Sequence, residues 1–512
     1  MFSTTYRFRF SVQPSWPSQA WLARWVRGSE EIEVLHGSRV ETLEHGFGEL
    51  IWDGDFAEHD FDQTDIVFGS GARARTGRLT FVASSNTLDR LVSAEFGNQL
   101  FISNSLACLT QNAGASFDPW YANYPNDFTS IIKGPDAHVS RVPTSRGPIR
   151  LTYFHNLVFD GKRLHPEPKP IVQRNRTSFD QYQEFLQDAV GRCFDNMRDA
   201  GRKHTWQLMG TLSTGFDSTT VAALARPLGL SEAMTLVNAR GGASDCGAAI
   251  GQALGLDVHE IPRDAWQSYR FSEIPFVAAD AKGEDVYFRG AGELLRNRVL
   301  LTGFTGSIWG GRSSNYLNWI RTDQSGLSLT EYRLHLGVIN MPIPTIGVYQ
   351  SQDLLELMGS EEARSWASGN AYDKPFCRKV LSDAGVPGDL YGNEKKAASV
   401  LLEDRGSFLS EDSRLDFEAY LHQLFGNHPG RATRYRAARS LGMAGRRCVG
   451  AAQGIAEWAG RTMNLQICRR MAQSVRLTEY AASEPNYRFL FPWAIRLAQQ
   501  AYRLETADDQ TT

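Results

Sequence analysis

An apolar run from Trp206 to Leu212 gives way to a polar stretch, Ser213 to Thr219, and then to a second apolar run ending at Arg226. This alternation predicts a buried strand, a loop and a helix over Thr219–Arg226, stopped by Pro227 and Gly229. Met234–Asn238 predicts a second strand. Ser244 then caps a helix whose apolar face is Ala248, Ala249, Ile250, Ala253 and Leu254, with Gly255 ending it and Val258–Ile261 forming a third strand. A βαβαβ order of this kind builds a parallel sheet with ligands at the carboxyl ends of its strands, where residues 213–219 would lie. Upstream, residues 1 to about 175 read as short strands separated by Gly, Asn and Ser turns, closing in a Pro-rich linker at His165–Pro170. From about 176, Phe179, Tyr182, Phe185, Leu186, Val190 and Phe194 recur at helical spacing. Beyond roughly 325 the chain reads as mainly helical, and 506–512 as a disordered tail.

The chemistry of the loop sharpens this picture. Ser213, Thr214, Gly215, Ser218 and Thr219 gather hydroxyls and backbone N–H groups at a helix N-terminus, where unpaired donors and the helix dipole attract an anion. Asp217 repels phosphate unless a cation intervenes, so it points to Mg²⁺-bound nucleotide with Asp217 as metal ligand. No Gly-Lys-Ser/Thr follows the glycine, so this is not a Walker loop. A Ser/Thr cap with no ligand accounts for the same residues.

The loop resembles the pyrophosphate loop, usually Ser-Gly-Gly-x-Asp-Ser, of the asparagine synthetase and β-lactam synthetase family. Val299–Gly311 resembles that family's second nucleotide-site loop, Lys374–Ala398 its late segment carrying a catalytic lysine, and Leu79–Leu109 the strand-rich part of its glutaminase-like domain. The resemblance implies that ATP and Mg²⁺ are the cofactors. It implies that Leu212, Ser213, Thr214, Gly215, Asp217, Ser218, Thr219, Val237 and Gly303 bind the nucleotide, and that Lys396, or else Lys395, stabilises the reacting centre. The family adenylates a carboxylate, releases pyrophosphate and lets an amine attack the acyl-adenylate.

Three departures qualify this. Met1 is followed by Phe2 and the first cysteine is Cys108, whereas the family's glutaminase half uses a cysteine exposed as first residue. Glutamine hydrolysis is therefore not expected, leaving a degenerate structural domain and a nitrogen source that is ammonia, a separate amine or an amine within the substrate. Thr214 stands where the family has glycine, so its side chain either points away or supplies its hydroxyl as a donor. Ser307 aligns with an acidic metal position. A serine is a poor Mg²⁺ ligand, leaving Asp217 with phosphate oxygens and water unless Glu284, Asp285 or Asp323 folds inward. Asp245 matches an acidic position of the family or is an ordinary first-turn carboxylate. His259 faces the nucleotide or fills a rim site. Tyr316 lies near the loop that carries an amine-deprotonating tyrosine in the β-lactam synthetases, but no partner glutamate is identified, so no general base is assigned.

Composition adds exclusions. The 512 residues suffice for two or three domains, and 42% hydrophobic with 22% charged residues is ordinary for a globular protein. Ten arginines fall between Arg431 and Arg476 against the single acid Glu457. Solvated helix faces explain them better than nucleic acid, since no interleaved aromatics support base stacking. Six scattered cysteines with no C-x-x-C argue against zinc and a disulfide framework and suit a cytoplasmic location. No apolar run is long enough for a membrane span.

The expected architecture is an α+β amino-terminal domain of degenerate glutaminase (Ntn) type over 1–175. It precedes an α/β parallel-sheet synthetase domain over 176–505, adenine nucleotide α-hydrolase-like, with a helical carboxyl-terminal part. The expected function is ATP-dependent amide formation between a small-molecule or peptide carboxylate and an amine. The alternatives are a non-catalytic nucleotide-binding protein or scaffold and, third, a tRNA-modifying ATP pyrophosphatase.

Overall fold

The computed structural model describes residues 6–160, 163–310, 314–321, 323–370, 372–401, 408–437 and 486–504. The amino-terminal strands form two sheets. The first runs, in spatial order, β1 (Arg7–Val12), β3 (Glu31–His36), β2 (Trp21–Val26), β9 (Gln99–Ser103), β8 (Leu91–Phe96), β11 (Ile149–Thr152) and β10 (Arg141–Val142). The second runs β13 (Leu164–Glu167), β12 (Asn156–Phe159), β7 (Arg78–Val82), β6 (Val67–Arg75), β5 (Gly46–Trp52) and β4 (Glu41–Leu43). All neighbours are antiparallel except β1 and β3. Large aromatics fill the space between the sheets: Trp21 lies 5.1 Å from Phe47, and Trp25 lies 4.3 Å from Phe159, both ring pairs edge to face.

The third sheet is wholly parallel, in the order β16 (Asp257–Ile261), β15 (Glu232–Leu236), β14 (Gln207–Leu212), β17 (Arg298–Thr302) and β18 (Ile339–Pro342). Its central strands are apolar without alternation because both faces are covered. Val299 and Leu301 of β17 point into a core with helices Phe179–Arg198 and Phe216–Ala225, while Leu300 joins a separate core with helices Ile274–Asp280 and Leu490–Ala498. The molecule is thus a mixed α/β protein with one parallel and two antiparallel sheets.

Four expectations need correction. The stretch read as a linker from His165 opens inside β13, paired with β12, and the second helix of the parallel unit is capped by Gly247, not Ser244. The helix after the loop starts at Phe216, not Thr219. Phe216 is buried beneath Tyr372 and Tyr391, so tertiary packing draws part of the polar loop into the first turn. The stretch past 325 also contains a strand, because Gly337 ends helix Leu329–Leu336 in the left-handed conformation and the apolar residues after it pair with β17 as β18. Of the basic segment, Arg431, Arg434 and Arg436 lie exposed in a helix over 429–437, and Arg431 reaches Asp118 at 3.4 Å. The remainder of that segment and the tail from 506 lie outside the described residues. Among the described residues no helix is long and apolar enough to cross a membrane.

A buried ionic network ties the amino-terminal sheets to the later helices. Arg333 Nη1 donates to Glu49 Oε2 (2.8 Å) and its Nε to Asp89 Oδ1 (2.7 Å), with all three side chains almost fully enclosed. Nearby, Glu331 accepts from Ser105 Oγ (2.8 Å) and from Tyr502.

Candidate functional site

In the parallel sheet, β15 and β16 lie to one side of β14, and β17 and β18 to the other. The loops leaving β14 and β17 therefore diverge at a topological switch point, the place where open α/β sheets take their ligands. The first loop is tightly built. Gly215 is its extended cap residue. Ser213 Oγ receives the Gly215 N–H (3.1 Å) and shares a hydrogen bond with Ser218 Oγ (2.8 Å), and Thr219 Oγ1 donates to the Ser213 carbonyl (2.8 Å). These bonds hold the first helical turn toward the sheet edge, where N–H groups without intrahelical acceptors attract an anion. Leu212 is buried under the loop, and Val237 is half-buried where the neighbouring strand ends, its N–H on the Ile261 carbonyl at 3.0 Å.

The loop after β17 lies directly on this turn. A Cβ on Gly303 would stand 2.5 Å from Ser218 N, and one on Gly306 2.4 Å from Asp217 Cγ, so only glycine permits the approach. Ser307 Oγ turns to the Thr305 carbonyl (3.5 Å).

Two lysines flank the loop. Lys374 Nζ donates to Asp217 Oδ1 and to the Gly306 carbonyl (2.8 Å), with only 8% of its side chain exposed. Lys396 Nζ donates to the Ser244 carbonyl (2.7 Å) and lies 3.3 Å from Thr214 Oγ1. Lys395 is exposed. Thr214 uses its hydroxyl inward: Oγ1 and the backbone N–H both donate to Asp245 Oδ1, at 2.6 and 3.1 Å. Asp245 is therefore a loop anchor, lying ahead of the helix that begins at Ala248. Tyr372 packs its ring on Phe216, and burial together with the Asp217 charge raises its hydroxyl above the ordinary range. Beside Lys374 opens a cavity of about 350 Å³ lined by Trp309, Met358, Arg364, Asp373 and Pro375.

Other candidates are held elsewhere. Asp285 accepts from Ser328 Oγ (2.7 Å) and the Gly326 N–H (2.9 Å), Glu284 accepts from Gln324, and Asp323 pairs with Arg321 at 3.1 Å. None of the three is hydrogen-bonded to the loop. Burial and the neighbouring acids Asp280 and Asp285 push Glu284 up to about 7. His259 lies 3.5 Å from Glu232, at the amino end of β15, and Tyr316 packs against the apolar core.

Sequence reasoning passed over Lys374. A physical signal was present: Lys374 occupies the N-cap position before Pro375, where the helix dipole disfavours a cation, so a nearby anion is implied. Asp217 supplies it. The donor set does not fit a Mg²⁺ ion ligated by the chain, because Asp217 already carries an ammonium group, Asp245 is bonded to Thr214, and Ser307 is neutral. Among the described residues no group of three or more His, Cys, Asp and Glu side chains gathers around a common point. No protein-family model and no curated protein matches the chain.

Proposed function

We propose that the chain binds ATP across residues 213–219 and 303–306 and uses it to form an amide. The substrate carboxylate oxygen attacks the α-phosphorus, pyrophosphate leaves, and an amine then attacks the acyl carbon, losing a proton as AMP departs. The observation that carries this reading is the convergence, at one switch point, of two glycine-close loops and two lysines from a third segment. In this reading the loop donors and Lys396 hold the phosphates. Lys374, its charge shared with Asp217, presents its remaining N–H to the leaving pyrophosphate, a preorganised donor of the kind that stabilises charge in many active sites. The cavity with Arg364 at its wall accepts the carboxylate substrate.

The two antiparallel sheets suit a degenerate glutaminase-like domain, and the parallel sheet an adenine nucleotide α-hydrolase-like one. Cys108 is fully buried, and desolvation together with the Glu331 charge holds its thiol well above the ordinary range, so it is no glutamine-attacking nucleophile. The amine or ammonia then comes directly from solution or from the substrate itself.

Thermal denaturation with a non-hydrolysable ATP analogue tests the binding step. At ~100 times its dissociation constant a ligand adds about 2.7 kcal/mol, which for a chain of this length raises the midpoint by about 2–3 °C. No shift at any concentration overturns the proposal. A shift without AMP and pyrophosphate release across a panel of carboxylates and amines favours a nucleotide-binding protein that does not turn over, the reading that Ser307 supports.

A further inference from the structure

We propose that Lys374 is a built-in counter-cation, so that the loop takes a polyphosphate without a divalent metal held by Asp217. The inference rests on the reading of 213–219 as a phosphate site and concerns how that site manages charge.

Asp217 creates the problem. Its carboxylate sits in the first turn of helix Phe216–Ala225, among the groups that would receive phosphate oxygens, and alone it would repel them. A ligated divalent ion is the common remedy. Here the remedy is already in place. Lys374 reaches in from the start of helix Pro375–Asp383 and lays its ammonium on Asp217 and on the Gly306 carbonyl. An ammonium has three donors. Two are spent on these acceptors, and the third has no hydrogen-bond acceptor among the described residues, leaving it for an incoming anion.

The lysine is also held in position. A Cβ on Gly310 would lie 3.2 Å from Lys374 Cγ and 3.5 Å from its Cε, so the stem runs along the backbone of the second loop. Little rotamer freedom then remains to be lost on binding. With Asp217 paired to Lys374, and Lys396 balanced by Asp245 across Thr214, these side chains no longer repel an anion, and its attraction rests on the backbone N–H groups of the turn and the unspent ammonium donors. A metal would have to displace Lys374 from Asp217 and strand a buried ammonium, and Ser307 adds no charge to help.

Isothermal titration of the full chain with inorganic pyrophosphate, in EDTA and in Mg²⁺, tests this. The native protein is expected to bind in EDTA within about threefold of its affinity in Mg²⁺, as follows when the chain's own cations supply the charge-assisted hydrogen bonds. Lys374→Gln should bind about tenfold or more weakly in EDTA and recover with Mg²⁺, because the bared Asp217 then has an ion to hold. Lys374→Gln combined with Asp217→Asn removes both charges and should bind in EDTA with no response to Mg²⁺, which guards against a misfolded single variant. Binding by the native protein only in Mg²⁺ overturns the inference and leaves the phosphate-loop reading standing. Binding in neither condition overturns both.

Discussion

Replacing Gly303 by alanine tests whether the two loops meet as described. The added Cβ would fall 2.5 Å from Ser218 N, 2.6 Å from Asp217 C and 2.7 Å from Asp217 Cβ, against an ordinary contact of 3.4–4 Å. The nearest obstacles are main-chain atoms in the first turn of helix Phe216–Ala225, so no change of rotamer relieves them. The loops must part by about 1 Å, an overpacking strain worth about 1–3 kcal/mol. At about 2.1 cal/mol/K of unfolding entropy per residue, that lowers the melting midpoint of this chain by about 1–3 °C. The effect on chemistry should be larger, because a 1 Å displacement of positioned groups costs about 10²-fold in rate. Pyrophosphate titration, calorimetric melting and pyrophosphate release would be measured beside Gly388→Ala. Gly388 faces open space within 4 Å, so its variant should behave as native. A Gly303→Ala protein with native affinity and midpoint would refute the juxtaposition, and with it the basis for a shared nucleotide site.

Arg333→Met leaves Glu49 and Asp89 buried without their partner, and should cost about 3–5 kcal/mol, read from the urea midpoint. Glu284 has a folded-state pKa near 7 against an unfolded value of 4.5. Its contribution is fully present below pH 4.5 and is lost as pH rises through 7, by up to about 3 kcal/mol. Glu284→Gln should flatten the fall in midpoint between pH 5 and 8. Lys396→Met should weaken pyrophosphate binding by about tenfold through loss of a charge-assisted contact, whereas Lys395→Met, altering an exposed side chain, should leave it unchanged.

How far the sequence revealed these features depended on how local their causes were. The inner strands of the βαβαβ unit were legible because burial on both faces imposes apolar runs, and the end of the second helix because Gly255 stops Ala248–Leu254 in the left-handed conformation; its start was not, since Gly247 and not Ser244 is the cap. A polar turn after β14 was legible from its hydroxyls, but its length was not, since residues 216–219 already belong to the helix. Lys374 was not read as a site residue, since its meeting with Asp217 spans 157 positions and depends on how helix Pro375–Asp383 docks. β18 was missed for a similar reason: four residues after a helix carry too short a pattern to announce an edge strand. Thr214 was legible as an alternative between pointing away and donating, and the choice was made by Asp245, contributed by the next strand–helix connection.

The Arg333 cluster has a consequence for how the protein is made. Glu49 and Arg333 are 284 positions apart, and at ribosomal speeds of roughly 5–20 residues per second that interval lasts roughly 15–60 s. Throughout it, the nascent amino-terminal sheets present an acid whose intended neighbour has not been synthesised. The early strands therefore cannot complete their buried charge pairing as they emerge; they wait for helix Leu329–Leu336, made well past the midpoint of the 512 residues.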